Sequence, residues 1–295
     1  VLNEVEALRR IAASLPSAGD DAAVVDGLVL TTDMLHERAD FPAGTTRYTA
    51  GWRAVGASLS DVAAMGAEAT AAVAVYGAPT FEPDELDAFL KGARSVCRAV
   101  GAEYVGGDLD GHDEFTVATT AVGETDAPVT RDGASPGEVV CVTGTLGRSG
   151  AAVRLFEAGR TDRANDLFRF TPRVAAGLAA APHATAMIDS SDGLARSLHQ
   201  VAEASDCGFA IERDALPIAD VVGEVSKSDD DELDLGVFFG EDFELVLTVA
   251  EDAVEDVREA SPVPVTVVGE VTEADGGVEM DGEPLPDRGY THGES

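Results

Sequence analysis

The chain has 295 residues and sets 20 Lys+Arg against 55 Asp+Glu, a formal net charge of −35. A hydrophobic share of 45% with 25% charged residues is globular composition and excludes general disorder. A field this negative repels phosphate backbones and anionic lipid, which speaks against nucleic-acid and membrane partners.

The acid excess runs through both halves of the chain and is not a tail. Such self-repulsion is relieved at about 1 M salt, where the Debye length falls to about 3 Å, so the expected setting is a salt-rich cytosol. No basic region followed by an apolar run opens the chain, and no apolar stretch is long enough to span a bilayer. The expected location is therefore cytoplasmic. The chain starts at Val1 without a methionine, which leaves room for native residues ahead of it.

In chain order, residues 3–14 have helical spacing of apolar positions. After the turn SAGDD, AAVVD and LVLTTD read as a strand pair joined at Gly27. TRYTAGWRAVGASLSDVAAMG predicts a long helix of small residues, and TAAVAVYGA a continuous apolar strand. EPDELDAFLKGARSVCRAV predicts an amphipathic helix opened by Pro83. EYVGGD and EFTVATTAVGE complete an N-terminal α/β layer.

RDGASPGE, rich in turn formers, marks the joint to a second unit, so the expected domains are residues 1–128 and 129–295. The second unit opens on the strand VVCVTG, which runs into GTLGRSGAAVRLF, a glycine turn opening a helix. Two short helices follow, then the strand ATAMID, the helix SSDGLARSLHQVAEAS, and the strands GFAIE, FELVLTVA and VPVTVVGEV. SKSDDDELD reads as a solvated loop. The fold class is α/β (α+β) in two domains. Cys97, Cys141 and Cys207 sit singly in apolar settings and read as buried, inert thiols of a reducing compartment.

With this many acids, an arbitrary aspartate is more often surface than site, and context is the filter. Asp33 ends LVLTTD, Asp61 sits in ASLSDVAAM, Asp108 in YVGGDLD, and Asp189 and Asp192 in AMIDSSDG. Asp20 and Asp21 precede AAVV. Carboxylates at strand ends converge above an α/β sheet, where ligands bind. Several in one cleft repel unless divalent cations bridge them. With Thr31, Thr32 and Ser191 nearby, the all-oxygen donor set suits Mg2+. Taken singly, each has a plainer alternative as turn former or helix cap, as Asp192 does ahead of GLARSL.

A Mg2+-rich acidic cleft implies an anionic ligand such as a nucleoside triphosphate. Neither lysine, Lys91 nor Lys227, follows a glycine, so there is no Walker loop. GTLGRSG follows a strand and opens a helix as phosphate cradles do, but its spacing is not that of a dinucleotide fold. The five histidines are scattered.

Together these motifs resemble the thiamine-monophosphate kinase family of the aminoimidazole-ribonucleotide-synthetase superfamily. AGDDAAVV, TTDML, ASLSDVAAMGAE, GGD, VTRDGASPGE with CVTGTLGRSGA, IDSSDGL and GEDFEL occur in order over nearly the whole chain. GEDFEL, and the absence of a glycine–cysteine loop, favour this family over selenophosphate-synthetase-like proteins. The hydrogenase-maturation relative would want a C-terminal cysteine where this chain ends HGES.

The resemblance implies a synthetase-like fold whose N-terminal domain binds ATP and Mg2+ and pairs its sheet into a barrel within a homodimer. It implies ATP-dependent conversion of thiamine monophosphate to thiamine diphosphate, the last step in making that cofactor. Carried over by position, Asp21, Thr31, Thr32, Asp33, Asp61, Asp108 and Asp189 form the Mg2+ shell, and Asp192 is a further metal or catalytic carboxylate. Gly107, Asp108, Arg131 and Ser191 are ATP contacts, with Arg131 also neutralising charge on the transferred group. Glu241 faces the thiamine moiety.

Two positions depart from the family pattern. Its acceptor-side histidine, in a His-Phe pair, falls at Asp40. Its C-terminal signature, which ends on an aromatic residue, reads here Gly289, Tyr290, Thr291, His292, Gly293. Asp40, Glu241 and Tyr290 are thus the acceptor-side candidates. Asp40 either favours the thiazolium cation or is a halophilic replacement on a rim. The alternatives are another ATP-dependent enzyme of the superfamily, ribonucleotide-cyclase-like, or a non-catalytic ATP-binding subunit.

Overall fold

The structure is a computed structural model that describes residues 10–11, 14–15 and 19–289. Most of the helix expected over residues 3–14, and Tyr290, lie outside the described residues. Strands β1 (Ala23–Val25) and β2 (Leu28–His36) form the expected hairpin. Asp26 and Gly27 both take left-handed backbone (φ 51° and 83°), the geometry of a two-residue turn matched to strand twist.

With β3 (Glu68–Ala78), β4 (Glu103–Gly111) and β5 (Thr116–Glu124) they make a five-stranded sheet in the order β1-β2-β5-β3-β4. The β3–β4 pair is parallel. Helix α1 (Glu37–Asp40) is a single turn. Helices α2 (Arg47–Ala64) and α3 (Pro83–Ala99) lie against one another. Their small residues are required: a Cβ on Gly92 would stand 2.0 Å from the Tyr48 carbonyl oxygen, and one on Gly51 2.3 Å from that of Phe89.

The second sheet has seven strands, in the order β12-β11-β8-β10-β6-β9-β7. These are β6 (Val139–Thr143), β7 (Ala184–Asp189), β8 (Cys207–Ile211), β9 (Leu245–Val249), β10 (Val265–Glu273), β11 (Val278–Met280) and β12 (Glu283–Pro284). Helix α4 (Arg148–Glu157) starts from the glycine turn. Helices α5 (Thr161–Phe168) and α6 (Val174–Ala180) follow, and α7 (Leu194–Ser205) comes after β7.

The two sheets share a core. Leu59, Val62 and Phe89 of the first unit belong to one apolar cluster with Cys141, Leu247 and Val265 of the second. A second cluster, with Ile188, Leu198 and Phe209, lies under α7. All three cysteines are free and buried, and burial pushes their thiols up to about 12 (Cys97) and about 11 (Cys141, Cys207). Among the described residues, no helix is long and apolar enough to cross a membrane.

SKSDDDELD departs from the expected loop. Asp229–Leu233 is a short helix, α9, following the likewise short α8 (Asp220–Val225). Ser228 caps it by accepting from the Asp231 amide, and the Asp231 carboxylate takes Arg154 Nη2 at 2.9 Å and the Lys227 amide at 2.9 Å. One long-range ion pair and one cap therefore order a run that composition alone marks as solvated. A π-helical turn, Asp234–Phe238, continues from it into GEDFEL.

Candidate active site

Alternation along β2 decides which of its side chains reach the site. Thr31 and Asp33 point to α2, where the Thr31 hydroxyl donates to Asp61 Oδ2 at 2.5 Å and Asp33 Oδ2 accepts from Ser58 Oγ at 2.8 Å. Thr32 lies on the opposite face and donates to the Thr119 carbonyl at 2.7 Å. The two-residue period of the strand thus keeps the Thr32 hydroxyl off the Asp61 cluster within one chain and places it on the outer face of the sheet.

Asp61 on α2, Asp189 at the end of β7 and Asp21 ahead of β1 bring carboxylate oxygens within 4.8 Å of one another. Ser60 Oγ donates to Asp189 Oδ2 at 2.6 Å, and the Ser191 amide to Asp189 Oδ1 at 3.1 Å. Arg131 Nη2 donates to Asp21 Oδ1 at 2.9 Å, while the Arg131 amide holds Asp20 at 2.8 Å.

Burial pushes Asp21 up to about 7, against the pull of Arg131 and with added repulsion from Asp189, Asp20 and Asp192. Burial likewise raises Asp61 well above the ordinary range, helped by Asp33, Asp189 and Asp21. Asp21 Oδ2 is buried with no hydrogen-bond partner. Repelling, desolvated carboxylates that offer all-oxygen donors, one of them an orphaned buried oxygen, fit a hard divalent ion.

Gly107 and Asp108 do not join this cluster within one chain. They lie on β4, the edge strand, where the Asp108 carboxylate accepts the Leu109 amide at 2.9 Å. In register, Met34, Ala118, Val75 and Asp108 form one row across the sheet. Met34 and Val75 are both exposed, so the row runs along the outer face.

Asp40 and Glu241, distant in sequence, meet at a cleft of about 430 Å³ whose walls include Phe41, Phe156, Phe168 and Phe239. Asp40 Oδ2 accepts the His36 amide at 2.6 Å. Glu241 and Phe243 have left-handed backbone (φ 63° and 55°), uncommon for residues with side chains. The segment is held by clasps to the loop after β7. The Glu241 amide donates to the Ser191 carbonyl at 2.6 Å, the Ser190 amide to the Glu244 carbonyl at 2.8 Å, and the Glu244 amide to Ser190 Oγ at 3.0 Å.

The glycine turn of GTLGRSG cradles an anion that belongs to the chain. Amides of Gly147 and Ser149, at the start of α4, donate to the Asp242 carboxylate at 2.5 and 2.9 Å. The turn that reads in sequence like a phosphate cradle is filled by an internal carboxylate, which satisfies the unpaired amides and the helix dipole. Burial still pushes Asp242 up to about 7.

Three further residues escaped sequence reasoning. Glu244, 1% exposed, pairs in bidentate fashion with Arg173 and also takes Thr143 Oγ1 at 2.8 Å. Arg53 is buried in α2 and bonds Glu241. The available signal for Arg53 was an arginine flanked by small and apolar residues within the helix (GWRAVGA); for Glu244 it was a charge abutting the fully buried strand β9.

With this geometry in place, the chain can be compared with known proteins. Family models of the AIR synthase related protein match it twice, the N-terminal domain over residues 19–125 and the C-terminal domain over residues 135–281. A thiamine-monophosphate kinase of Halobacterium salinarum is 62% identical over 291 residues, covering 99% of this chain and 100% of that relative. The chain belongs to the thiamine-monophosphate kinase family. A member from Methanospirillum hungatei is 40% identical over 98% of this chain and 97% of its own length. A solved structure, AaThiL complexed with AMPPCP and TMP, superposes with a TM-score of 0.88 at 28% identity, covering 99% of this chain and 97% of that one. The α/β architecture expected from the sequence is the architecture of this family.

Proposed function

We propose that the chain transfers the γ-phosphoryl group of ATP to thiamine monophosphate, giving thiamine diphosphate and ADP. Asp21, Asp61 and Asp189 would hold Mg2+, supported by Thr31, Asp33 and Asp192. The observation that carries this reading is the convergence of the three carboxylates, one with an orphaned buried oxygen. When bound, Mg2+ supplies charge neutralisation for the triphosphate.

The acceptor is a phosphate monoester, whose second pKa is near 6, so its oxygen is already ionised at neutral pH. That oxygen attacks the γ-phosphorus in line. A P–O bond forms as the bond to the β,γ-bridging oxygen breaks, and ADP leaves with the electron pair. No strong base is needed, which suits a cluster that, among the described residues, is built of carboxylates, hydroxyls and one arginine. Arg131, held beside the cluster by Asp20 and Asp21, supplies positive charge for the transferred group, and Ser191 a polar contact. Asp40 and Glu241 with the phenylalanine walls suit a ring cation such as thiazolium. Tyr290 is assigned to the same acceptor on resemblance alone.

With the domain boundary placed at residues 128 and 129, the site draws on both units: Asp21, Thr31, Asp33 and Asp61 come before it, and Arg131, Asp189, Ser191 and Asp192 after it. The outer face of the five-stranded sheet exposes Leu28, Leu30, Met34, Val75 and Val105. We assign that apolar face to a second copy of the chain, and a nucleotide role for Gly107 and Asp108 to the assembled homodimer. The setting inferred from the charge of −35 is a salt-rich cytoplasm.

The test is ADP release by the purified chain with Mg2+, ATP and thiamine monophosphate in molar KCl. Turnover that requires the acceptor supports the assignment. Folded protein that turns over only with a ribonucleotide acceptor, or that binds Mg-ATP without releasing ADP, overturns it.

A further inference from the structure

Glu241 stands in left-handed backbone at the wall of the acceptor cleft, and its side chain remains 21% exposed. A carboxylate in such a conformation points into a cleft only if something fixed holds it there. The group that does so lies behind the wall. Arg53 Nη2 donates to Glu241 Oε2 at 2.5 Å and to the Glu241 carbonyl at 3.2 Å. Arg53 Nη1 donates to the Phe168 carbonyl at 2.6 Å and to Ser149 Oγ at 3.2 Å, and Ser149 Oγ in turn donates to the Glu241 carbonyl at 2.6 Å.

The guanidinium lies 3.6 Å above the Phe168 ring and within 5.5 Å of the Phe170 and Phe243 ring centres. Phe170 and Phe243 are themselves stacked, with centroids 4.1 Å apart. One planar fork therefore ties α2, the segment around Phe168 and the Glu241–Phe243 segment. Two of the residues it fixes, Phe168 and Glu241, are walls of the cleft. The Arg53 side chain is only 3% exposed, so an acceptor in the cleft meets Glu241 and Phe168 and not Arg53.

We propose that Arg53 is a positioning residue for acceptor selection: from behind the cleft wall it fixes the Glu241 carboxylate and the Phe168 ring where they discriminate a phosphate monoester carrying a ring cation from an uncharged one. This rests on the kinase reading above. The planar fork is essential to the role, because lysine retains the charge but cannot make the paired contacts. ATP binding lies outside it, since the Arg53 guanidinium bonds Glu241, Phe168 and Ser149 and not Asp21, Asp61 or Asp189.

The test compares the full-length wild type with Arg53→Gln, Arg53→Lys, Glu241→Gln and the double variant Arg53→Gln/Glu241→Gln, in molar KCl with Mg2+. Two acceptors are used, thiamine monophosphate and the phosphate monoester of an uncharged hydroxyethylthiazole. Arg53→Gln is expected to raise KM for thiamine monophosphate about 10-fold or more, with KM for ATP and kcat at saturation within about 3-fold. The wild-type preference for the cationic acceptor should shrink by a similar factor, Arg53→Lys should fall between, and the double variant should be no worse than Glu241→Gln alone.

Equal losses toward both acceptors, a rise in KM for ATP, or effects of the two single variants that multiply in the double variant would overturn the assignment. Ser149→Ala, which removes a second tether of Glu241, covers the case in which the Arg53 variants fail to fold. It should show the same selective loss in weaker form, and an unchanged acceptor preference there counts against the proposal. A wild type without acceptor-dependent turnover overturns instead the kinase reading.

Discussion

The cluster around Asp61 and the clasp around Glu244 are built from the same residue types in opposite states. In the cluster, Asp21, Asp61 and Asp189 face one another, Asp21 keeps an oxygen without a partner, and Arg131 is the cation within reach of Asp21. In the clasp, Glu244 is met by both arms of Arg173 and the Thr143 hydroxyl, and Asp242 by two amides. Carboxylates met by an arginine or by paired amides hold the chain together, while those that face one another are suited to a cation. In a chain with this acid excess, partner status separates site from scaffold and residue type does not.

The sharpest way to break that contrast is to neutralise one member of each set. Asp61→Asn is expected to abolish turnover, by about 1,000-fold or more, since it removes a ligand and the charge that a divalent ion must meet. It should leave the metal-free protein as stable as wild type or more so, because a repelling, desolvated charge is gone. Glu244→Ala should act the other way. It strands Arg173 in a buried setting, and breaking such a pair costs about 3–5 kcal/mol. Urea unfolding in EDTA, run beside the ADP assay, reads both effects. A destabilised Asp61→Asn, or a stable Glu244→Ala, contradicts the division.

Part of this was legible in the sequence because strand ends and motif order are local properties. LVLTTD, LSDVAAM and IDSSDGL each place an acid beside apolar residues, and the cluster is built from such acids. What stayed hidden depends on pairing across the chain. Nothing in GTLGRSG shows that Asp242, some 95 residues on, fills its amides. Nothing in SKSDDDELD shows that Arg154 waits for Asp231. Asp108 shares the strand context of Asp189, but strand order puts it on an exposed edge and register puts it in the outer row with Val75.

A subtler separation comes from pH. Asp21 and Asp242 are both pushed up to about 7 from 3.8, so between those values the folded chain holds protons that the unfolded chain has lost. Stability of the metal-free protein is therefore greatest below pH 4 on account of these two groups and falls as pH rises through 7. Mg2+ should restore the share due to the cluster and leave the share due to Asp242. Thermal melts in molar KCl should show a rise in Tm with Mg2+ that is larger at pH 8 than at pH 5. Asp242→Asn should flatten the metal-free slope while retaining that Mg2+ response. A Mg2+ effect independent of pH contradicts the placement of the ion among these carboxylates.

The smallest expected effects lie on adjacent threonines and test the geometry most closely. Thr31 and Thr32 are neighbours of equal chemistry in the motif TTDML, and sequence alone treats them alike. The pleat does not. The Thr31 hydroxyl donates to Asp61 inside the cluster, whereas the Thr32 hydroxyl donates to Thr119 on the other face of β2. Removing a hydrogen bond to a charged group costs about 1.5–3 kcal/mol, so Thr31→Val should lower kcat/KM by about 10- to 100-fold. Thr32→Val, with valine equally at home in a strand, should leave the Mg2+-dependent rise in Tm due to the Asp61 cluster at its wild-type size, while Thr31→Val weakens it. Equal loss of that response in the two variants would mean that the strand is read from the wrong face, and the assignment of Thr31 and Asp33 to the site would fall with it.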